Sequence, residues 1–160
     1  FHPALPDPAS TLHATDFFAQ QVGAPNGAIP RIDPGIVERR ASVVIHPFSG
    51  SPRKNWPLAS FEEVANRLPL PVEWTAGPEE ALDHATRFEN LLDLARWLAG
   101  AALYIGNDSG ITHLAAAVGV PVVALFGPTL PAIWAPRGAN VTVLREPTVE
   151  TVLKAASSAR

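Results

Sequence analysis

Strand-like and helix-like segments alternate along this sequence, which predicts an α/β fold: three layers, with a parallel sheet covered by helices on both faces. Three observations carry the expectation. Short β-branched or apolar runs recur, and each stops at a cluster of Gly, Pro, Asn, Asp or Ser. Between them lie segments whose apolar residues follow helical spacing. The helical segments are long enough to cross from the end of one parallel strand to the start of the next.

The elements follow in order. Residues 1–10 carry three prolines and read as linker. Thr11 to Val22 has helical spacing, with Leu12, Phe17, Phe18 and Val22 on one broad face and Gly23 as a stop. Ala24 to Arg40 is irregular. Ser42 to His46 is a β-branched run ending at Pro47, suited to a buried parallel strand. Ser60-Phe61-Glu62-Glu63 has the form of a capping box and is expected to open a helix through Leu68, ended by Pro69. Val72 to Thr75 reads as a second strand, closed by Gly77-Pro78. Glu79 to about Phe88 and Leu91 to Ala99 are expected helices. Ala102 to Ile105 is a third strand, Ile111 to Val118 a helix, Val122 to Phe126 a fourth strand and Val141 to Leu144 a fifth. A last helix runs from Thr148 to about Ala156. There is no internal repeat.

Composition narrows the function classes. At 160 residues and 47% hydrophobic, the chain can bury a core of ordinary size. A formal charge of -3 argues against nucleic acid as the partner, since phosphate-backbone binders carry a basic excess. With no cysteine, disulfides, thiolate metal sites and Cys nucleophiles are excluded. No apolar run approaches the roughly 20 residues that span a bilayer. Phe1-His2-Pro3 lacks the basic and apolar regions of a signal peptide, and the missing Met suggests a piece of a longer protein.

In open parallel sheets ligands bind at the carboxyl ends of strands, so four loops matter. After Ile105, the run Gly106-Asn107-Asp108-Ser109-Gly110-Ile111-Thr112-His113 joins a strand to a helix N-terminus, whose free N–H groups suit a phosphate. Gly110 allows close approach, and Ser109 and Thr112 add hydroxyls. Asp108 suits sugar hydroxyls better than a diphosphate. A second reading stays open, in which Asp108 or Ser109 is only an N-cap and His113 a partly buried helix residue. After Ile45, the loop Pro47 to Pro57 places Ser49, Gly50 and Ser51 before Lys54, which can either meet a diphosphate or lie solvated at the surface. Trp56 reads as a packing residue. After Thr75, Gly77 is followed by Glu79 and Glu80, which can accept ribose hydroxyls or simply complement a helix dipole. After Phe126, the loop through Thr129 can close over a ligand or form a proline-shaped turn. GxGxxG, P-loop, HExxH, EF-hand and GxSxG patterns are absent. Asn107-Asp108-Ser109 is not an Asp-x-Asp metal motif.

Taken together the motifs resemble a known family. His46-Pro47-x-Ser49-Gly50-Ser51-x-x-Lys54-x-Trp56-Pro57 is similar to the start of the C-terminal domain of the lipopolysaccharide heptosyltransferases, glycosyltransferase family 9. Gly106-Asn107-Asp108-Ser109-Gly110-x-x-His113-Leu114-Ala115-Ala116 resembles that family's most specific signature. Val120 to Thr129 continues in register, with Trp134 and Pro136 downstream. The likeness covers about residues 42–158. It implies the C-terminal half of a GT-B fold: an interdomain linker and helix over 1–41, and a Rossmann-like nucleotide-sugar-binding domain over 42–160.

The resemblance also implies an inverting transferase that takes an ADP-heptose-type donor without a metal or other cofactor, in lipopolysaccharide core synthesis. Lys54 and Asp108 would be its catalytic contribution. Ser49, Gly50, Ser51, Lys54, Ser109, Gly110 and His113 would hold the diphosphate, Asp108 the sugar, and Gly77 with Glu79 or Glu80 the ribose, with Thr129 in the covering loop. Ser49 and Ser51 stand where some members carry threonine. The general base and the acceptor, a lipopolysaccharide core or other glycan, would belong to an N-terminal domain outside this chain, so the chain alone is expected to bind without turning over. The expected setting is the cytoplasm, with peripheral contact at the inner membrane face. Two other readings are a non-catalytic nucleotide-sugar-binding module and a UDP-sugar relative such as an epimerase.

Overall fold

The computed structural model describes residues 11–159; the linker expected at residues 1–10 lies outside them. Helix α1 (Ala14–Gln21) comes first, followed by an irregular segment up to strand β1 (Val43–His46). Helix α2 (Leu58–Arg67), strand β2 (Val72–Trp74), helix α3 (Leu91–Ala99), strand β3 (Leu103–Asn107), helix α4 (Gly110–Ala117), strand β4 (Val122–Phe126), short helix α5 (Pro131–Trp134), strand β5 (Val141–Arg145) and helix α6 (Val149–Ser158) complete the chain. The strands form one parallel sheet in the order β2-β1-β3-β4-β5. The expected α/β class with a parallel sheet is therefore what forms. Among the described residues no helix is long and apolar enough to cross a membrane.

The strand pattern explains the layers. Side chains alternate across a sheet. Val43 and Ile45 of β1, Leu103 and Ile105 of β3, and Val123 and Leu125 of β4 share one face with Phe61 and Val64 of α2 and Val152 of α6. Val44, Tyr104, Val122, Ala124 and Phe126 share the other, with Leu94 and Leu98 of α3 and Ala115 and Ala116 of α4. Both faces are apolar, so these strands read as continuous hydrophobic runs, as expected for a sheet buried on both sides.

Several boundaries differ from the sequence expectation. The Ser60–Glu63 capping box does not form: α2 starts at Leu58 with Pro57 as its N-cap, and the Ser60 and Phe61 amides both donate to the Pro57 carbonyl. Ser60 is thus already inside the first turn. Residues 79–88 are turns, not helix. The backbone here finds other partners: the Arg87 guanidinium donates to the carbonyls of Gly77, Glu80, Leu82 and Ala85, and the Thr86 amide donates to the Trp74 carbonyl. Thr86 then bridges Thr75 in parallel, extending the sheet edge beyond β2. Strand β3 runs two residues past Ile105, which brings Asn107 into register with Leu125.

The order of the strands places a crevice. From β1 the chain crosses through α2 to β2 on one side; from β2 it returns through α3 to β3 on the other side of β1. The loops leaving β1 and β3 therefore run in opposite directions, and the gap between them opens at the carboxyl edge. Residues 47–57 and 108–112 border it.

Candidate functional site

The loop after β1 is held by a buried asparagine. Asn107, at the end of β3 and fully buried, donates from Nδ2 to the Pro47 carbonyl at 2.7 Å and accepts from the Trp56 amide at 2.9 Å. One side chain thereby ties both ends of the loop to β3. The Trp56 indole N–H reaches the Pro147 carbonyl at 3.1 Å, and its ring packs edge-on against Phe61 at 5.0 Å. Trp56 is the packing residue the sequence suggested. Inside the loop, Ser49 Oγ lies 2.8 Å from the Ser51 carbonyl and 2.7 Å from Asn55 Oδ1. A 3-10 turn over Pro52–Lys54 follows, its φ started by Pro52.

That turn delivers Lys54 to the opposite loop. Its Nζ donates to the Asp108 carbonyl at 2.8 Å and meets Asp108 Oδ2 at 3.3 Å. Thr129 Oγ1 donates to the same Oδ2 at 2.9 Å. The Asp108 amide donates to Leu125, so β4 fixes its backbone. Asp108 is buried and Lys54 half-buried, an environment in which a charge pair is much less screened than at the surface. Two of the three ammonium hydrogens serve Asp108, and one remains for a ligand oxygen. Asp108 Oδ1 accepts no hydrogen bond from a described residue.

Next to this pair α4 begins. Ser109 is its N-cap, with Oγ accepting from the Thr112 amide. Of the two capping candidates it is Ser109, not Asp108, that caps the helix. Thr112 Oγ1 donates to the Asn107 carbonyl and lies 3.1 Å from the buried Tyr104 hydroxyl. Burial holds the Tyr104 phenol far above its ordinary pKa, so it stays protonated. Gly106 makes the contact possible: a Cβ there would fall 2.4 Å from the Tyr104 hydroxyl oxygen. Gly110 is exposed and faces open space, which leaves the first amides of α4 accessible. His113, half-buried on α4, has its pKa lowered by burial, against the pull of Asp108 and of the Trp134 backbone.

On the other side of α4's start lies a cavity of about 230 Å³, lined by His46, Gly77, Glu80, Phe88, Leu91 and Ile111 among others. Glu80 Oε2 lies 3.0 Å from His46 Nε2 and accepts from the Gly77 amide at 2.6 Å. Glu79 is exposed and Glu80 half-buried. A second cleft, about 260 Å³, flanks Lys54 beside Trp56, Asn107, Phe126, Gly127 and Glu146. Among the described residues no three His, Asp or Glu side chains gather as a metal-ligand set.

The structure thus brings Lys54, Asp108 and Thr129 into direct contact beside Ser109 and Gly110. It puts Gly77 and Glu80 together in the neighbouring cavity, away from Lys54. Ser49 turns into its own loop, whereas Gly50 is exposed. Sequence reasoning gave no role to Asn107 or His46, although both stand inside the recognised motifs. Asn107 carried one legible signal, a polar residue between a buried strand and a helix start. His46 carried a weaker one, a titratable group closing an apolar run.

Comparison with known proteins follows the same outline. Residues 85–157 match the model of "Glycosyltransferase family 9 (heptosyltransferase)". Lipopolysaccharide heptosyltransferase 1 of Pseudomonas aeruginosa is 39% identical over 93 residues, 49% of this chain and 26% of that protein. Lipooligosaccharide heptosyltransferase 2 of Haemophilus influenzae is 39% identical over 114 residues, 59% of this chain and 33% of that protein. The matched region is thus about a third of these relatives' length or less. Among solved structures, the family 9 glycosyl transferase of Veillonella parvula superposes with a TM-score of 0.75 at 24% identity, over 94% of this chain and 61% of that one. The E. coli heptosyltransferase WaaC with ADP gives 0.70 at 21% identity, over 95% and 58%. These structural likenesses show the fold, the Rossmann-like architecture of a GT-B C-terminal domain.

Proposed function

We propose, from its similarity to glycosyltransferase family 9 over residues 85–157 and to the C-terminal domain fold of that family's solved structures, that this chain binds a nucleoside-diphosphate sugar of ADP-heptose type as the donor half of an inverting glycosyltransferase. The observation that carries the proposal is the meeting of Lys54, Asp108 and Thr129 beside the open N-terminus of α4. Ammonium, free helix amides and small residues within one crevice are what a diphosphate needs in the absence of a cation.

In this reading the diphosphate lies over Ser109 and Gly110, facing Gly50, Ser51 and the spare N–H of Lys54, with His113 alongside. The free Oδ1 of Asp108 accepts from a sugar hydroxyl. The nucleoside enters the cavity walled by Phe88, Leu91 and Ile111, with Glu80, in preference to the exposed Glu79, at the ribose. An acceptor hydroxyl, deprotonated by a base from a second domain, attacks the anomeric carbon; its C–O bond forms on one face as the bond to the diphosphate breaks on the other. Lys54 and α4 stabilise the charge arriving on the departing phosphate, with no metal required. Residues 1–41 would then serve as the connection to that second domain and 42–160 as the donor domain. The acceptor would be a lipopolysaccharide core or similar glycan, met at the cytoplasmic face of the inner membrane.

Calorimetric titration of the chain with ADP, UDP, GDP and ADP-heptose tests this. ADP and ADP-heptose are expected to bind in preference to the others. Lys54→Ala should weaken ADP by roughly 10- to 100-fold, the worth of one charge-assisted hydrogen bond. A preference for UDP, or a Lys54→Ala variant with unaltered ADP affinity, would overturn the assignment.

A further inference from the structure

We propose that His46 is a positioning residue for the donor's ribose, holding the Glu80 carboxylate so that its second oxygen faces the sugar hydroxyls. The inference rests on the donor-binding reading above and adds a residue to which that reading gives no role.

The geometry starts in the sheet. His46 is the last residue of β1, in register with Gly106 of β3. Being two residues beyond Val44, it faces the α3 and α4 side, where the nucleoside cavity opens. Its side chain is nearly inaccessible, and only one of its ring nitrogens has a partner. Nε2 lies 3.0 Å from Glu80 Oε2; Nδ1 is buried with no hydrogen bond. A proton on Nδ1 would leave a buried donor bare, so a single ring proton belongs on Nε2, where it is donated to Glu80. Burial keeps the ring neutral by lowering its pKa, against the pull of the Glu80 charge.

Glu80 is thereby held from two directions. The same oxygen accepts from His46 and from the Gly77 amide, while Oε1 accepts nothing from a described residue. A carboxylate fastened through one oxygen presents the other at a fixed place, which lowers the ordering cost of a bidentate or single contact with a diol. Gly77 belongs to the device: a Cβ there would come within 3.3 Å of Glu80 Oε2. His46 borders the same cavity as Glu80, and the role assigned to it runs through Glu80: its effect is on where the carboxylate stands.

The test measures ADP against its 2′-deoxy and 3′-deoxy analogues by calorimetry, for the chain and for His46→Leu and His46→Gln. Leucine fills similar space without a donor, and glutamine restores one. The chain itself should favour ADP over at least one deoxy analogue by roughly 10-fold or more, the loss expected for a hydrogen bond to a charged acceptor. His46→Leu should bring that ratio to within about 2-fold of unity, and His46→Gln should restore most of it. A merely structural histidine would lower the affinity for all three ligands together and leave the ratio intact. A folded His46→Leu variant that keeps the ratio, or a glutamine variant indistinguishable from leucine, overturns the positioning role alone; a parent chain that binds ADP without discrimination overturns it together with the Glu80–ribose contact and leaves the diphosphate contacts standing. A parent chain that fails to bind ADP overturns the donor-binding reading with it.

Discussion

Replacing Asn107 with alanine should loosen the site and the fold together. The Asn107 side chain makes two short hydrogen bonds in a fully buried setting, to the Pro47 carbonyl at 2.7 Å and from the Trp56 amide at 2.9 Å. Alanine leaves both backbone groups without partners. An unsatisfied buried polar group costs about 1–3 kcal/mol, so the pair is worth roughly 2–5 kcal/mol after partial relaxation. For a domain of this size each kcal/mol moves the melting temperature by about 2–4 °C, which gives a fall of roughly 5–15 °C. Aspartate makes a sharper control. It can still accept from Trp56, but its carboxylate would face the Pro47 carbonyl with no hydrogen to offer, so Asn107→Asp should be no better than alanine at neutral pH. Thermal and urea melts measure the effect, with an unchanged urea slope showing that stability and not the denatured state has moved. Because both ends of the loop hang on this side chain, ADP affinity should fall as well at temperatures where the variant is folded. If both variants melt within 2 °C of the parent, the idea that Asn107 fixes the loop is wrong.

Two further outcomes are expected. Gly106→Ala drives a Cβ into the space of the Tyr104 hydroxyl, 2.4 Å away, and should break the Tyr104–Thr112 contact at a cost of about 1–3 kcal/mol; a melt matching the parent's would refute it. Stability should also decline steadily as pH falls from about 7.5 to 5.5. His13, His46 and His113 all have pKa values lowered in the fold, mainly by burial, so below about 6.5 the unfolded chain takes up protons that the folded chain resists. The stabilisation is therefore complete above the unfolded value and is lost on acidification. Asp16, held below the ordinary carboxylate range by Arg137, contributes its own loss only at lower pH. Melting temperatures that stay level or rise on acidification would contradict the sign.

Much of this molecule was legible in its order of residues. A run such as Val122 to Phe126, apolar at every position, can only be stable where both faces are covered, and it forms a central strand. The turns at 47–57 and 106–113 stood out by their glycine and hydroxyl residues, and the structure brings them together at one edge of the sheet. Local pattern was less reliable where a distant group competed for the same backbone. The serine at 60 looked like a cap until Pro57 opened the helix earlier, and the helix expected over 79–88 gave way to Arg87 and the Thr75–Thr86 bridge.

Sequence alone determined the fold class, the number of strands and the family likeness, since these depend on periodicity and on neighbours within one element. Only the tertiary structure decided that Lys54 and Thr129 share one carboxylate, that Ser109 and not Asp108 caps α4, and that Glu80 is fastened by His46. The physical reason is separation along the chain: these partners stand 54, 21 and 34 residues apart in the three pairings with Asp108 and Glu80, and the crossings of the sheet bring them to a single edge.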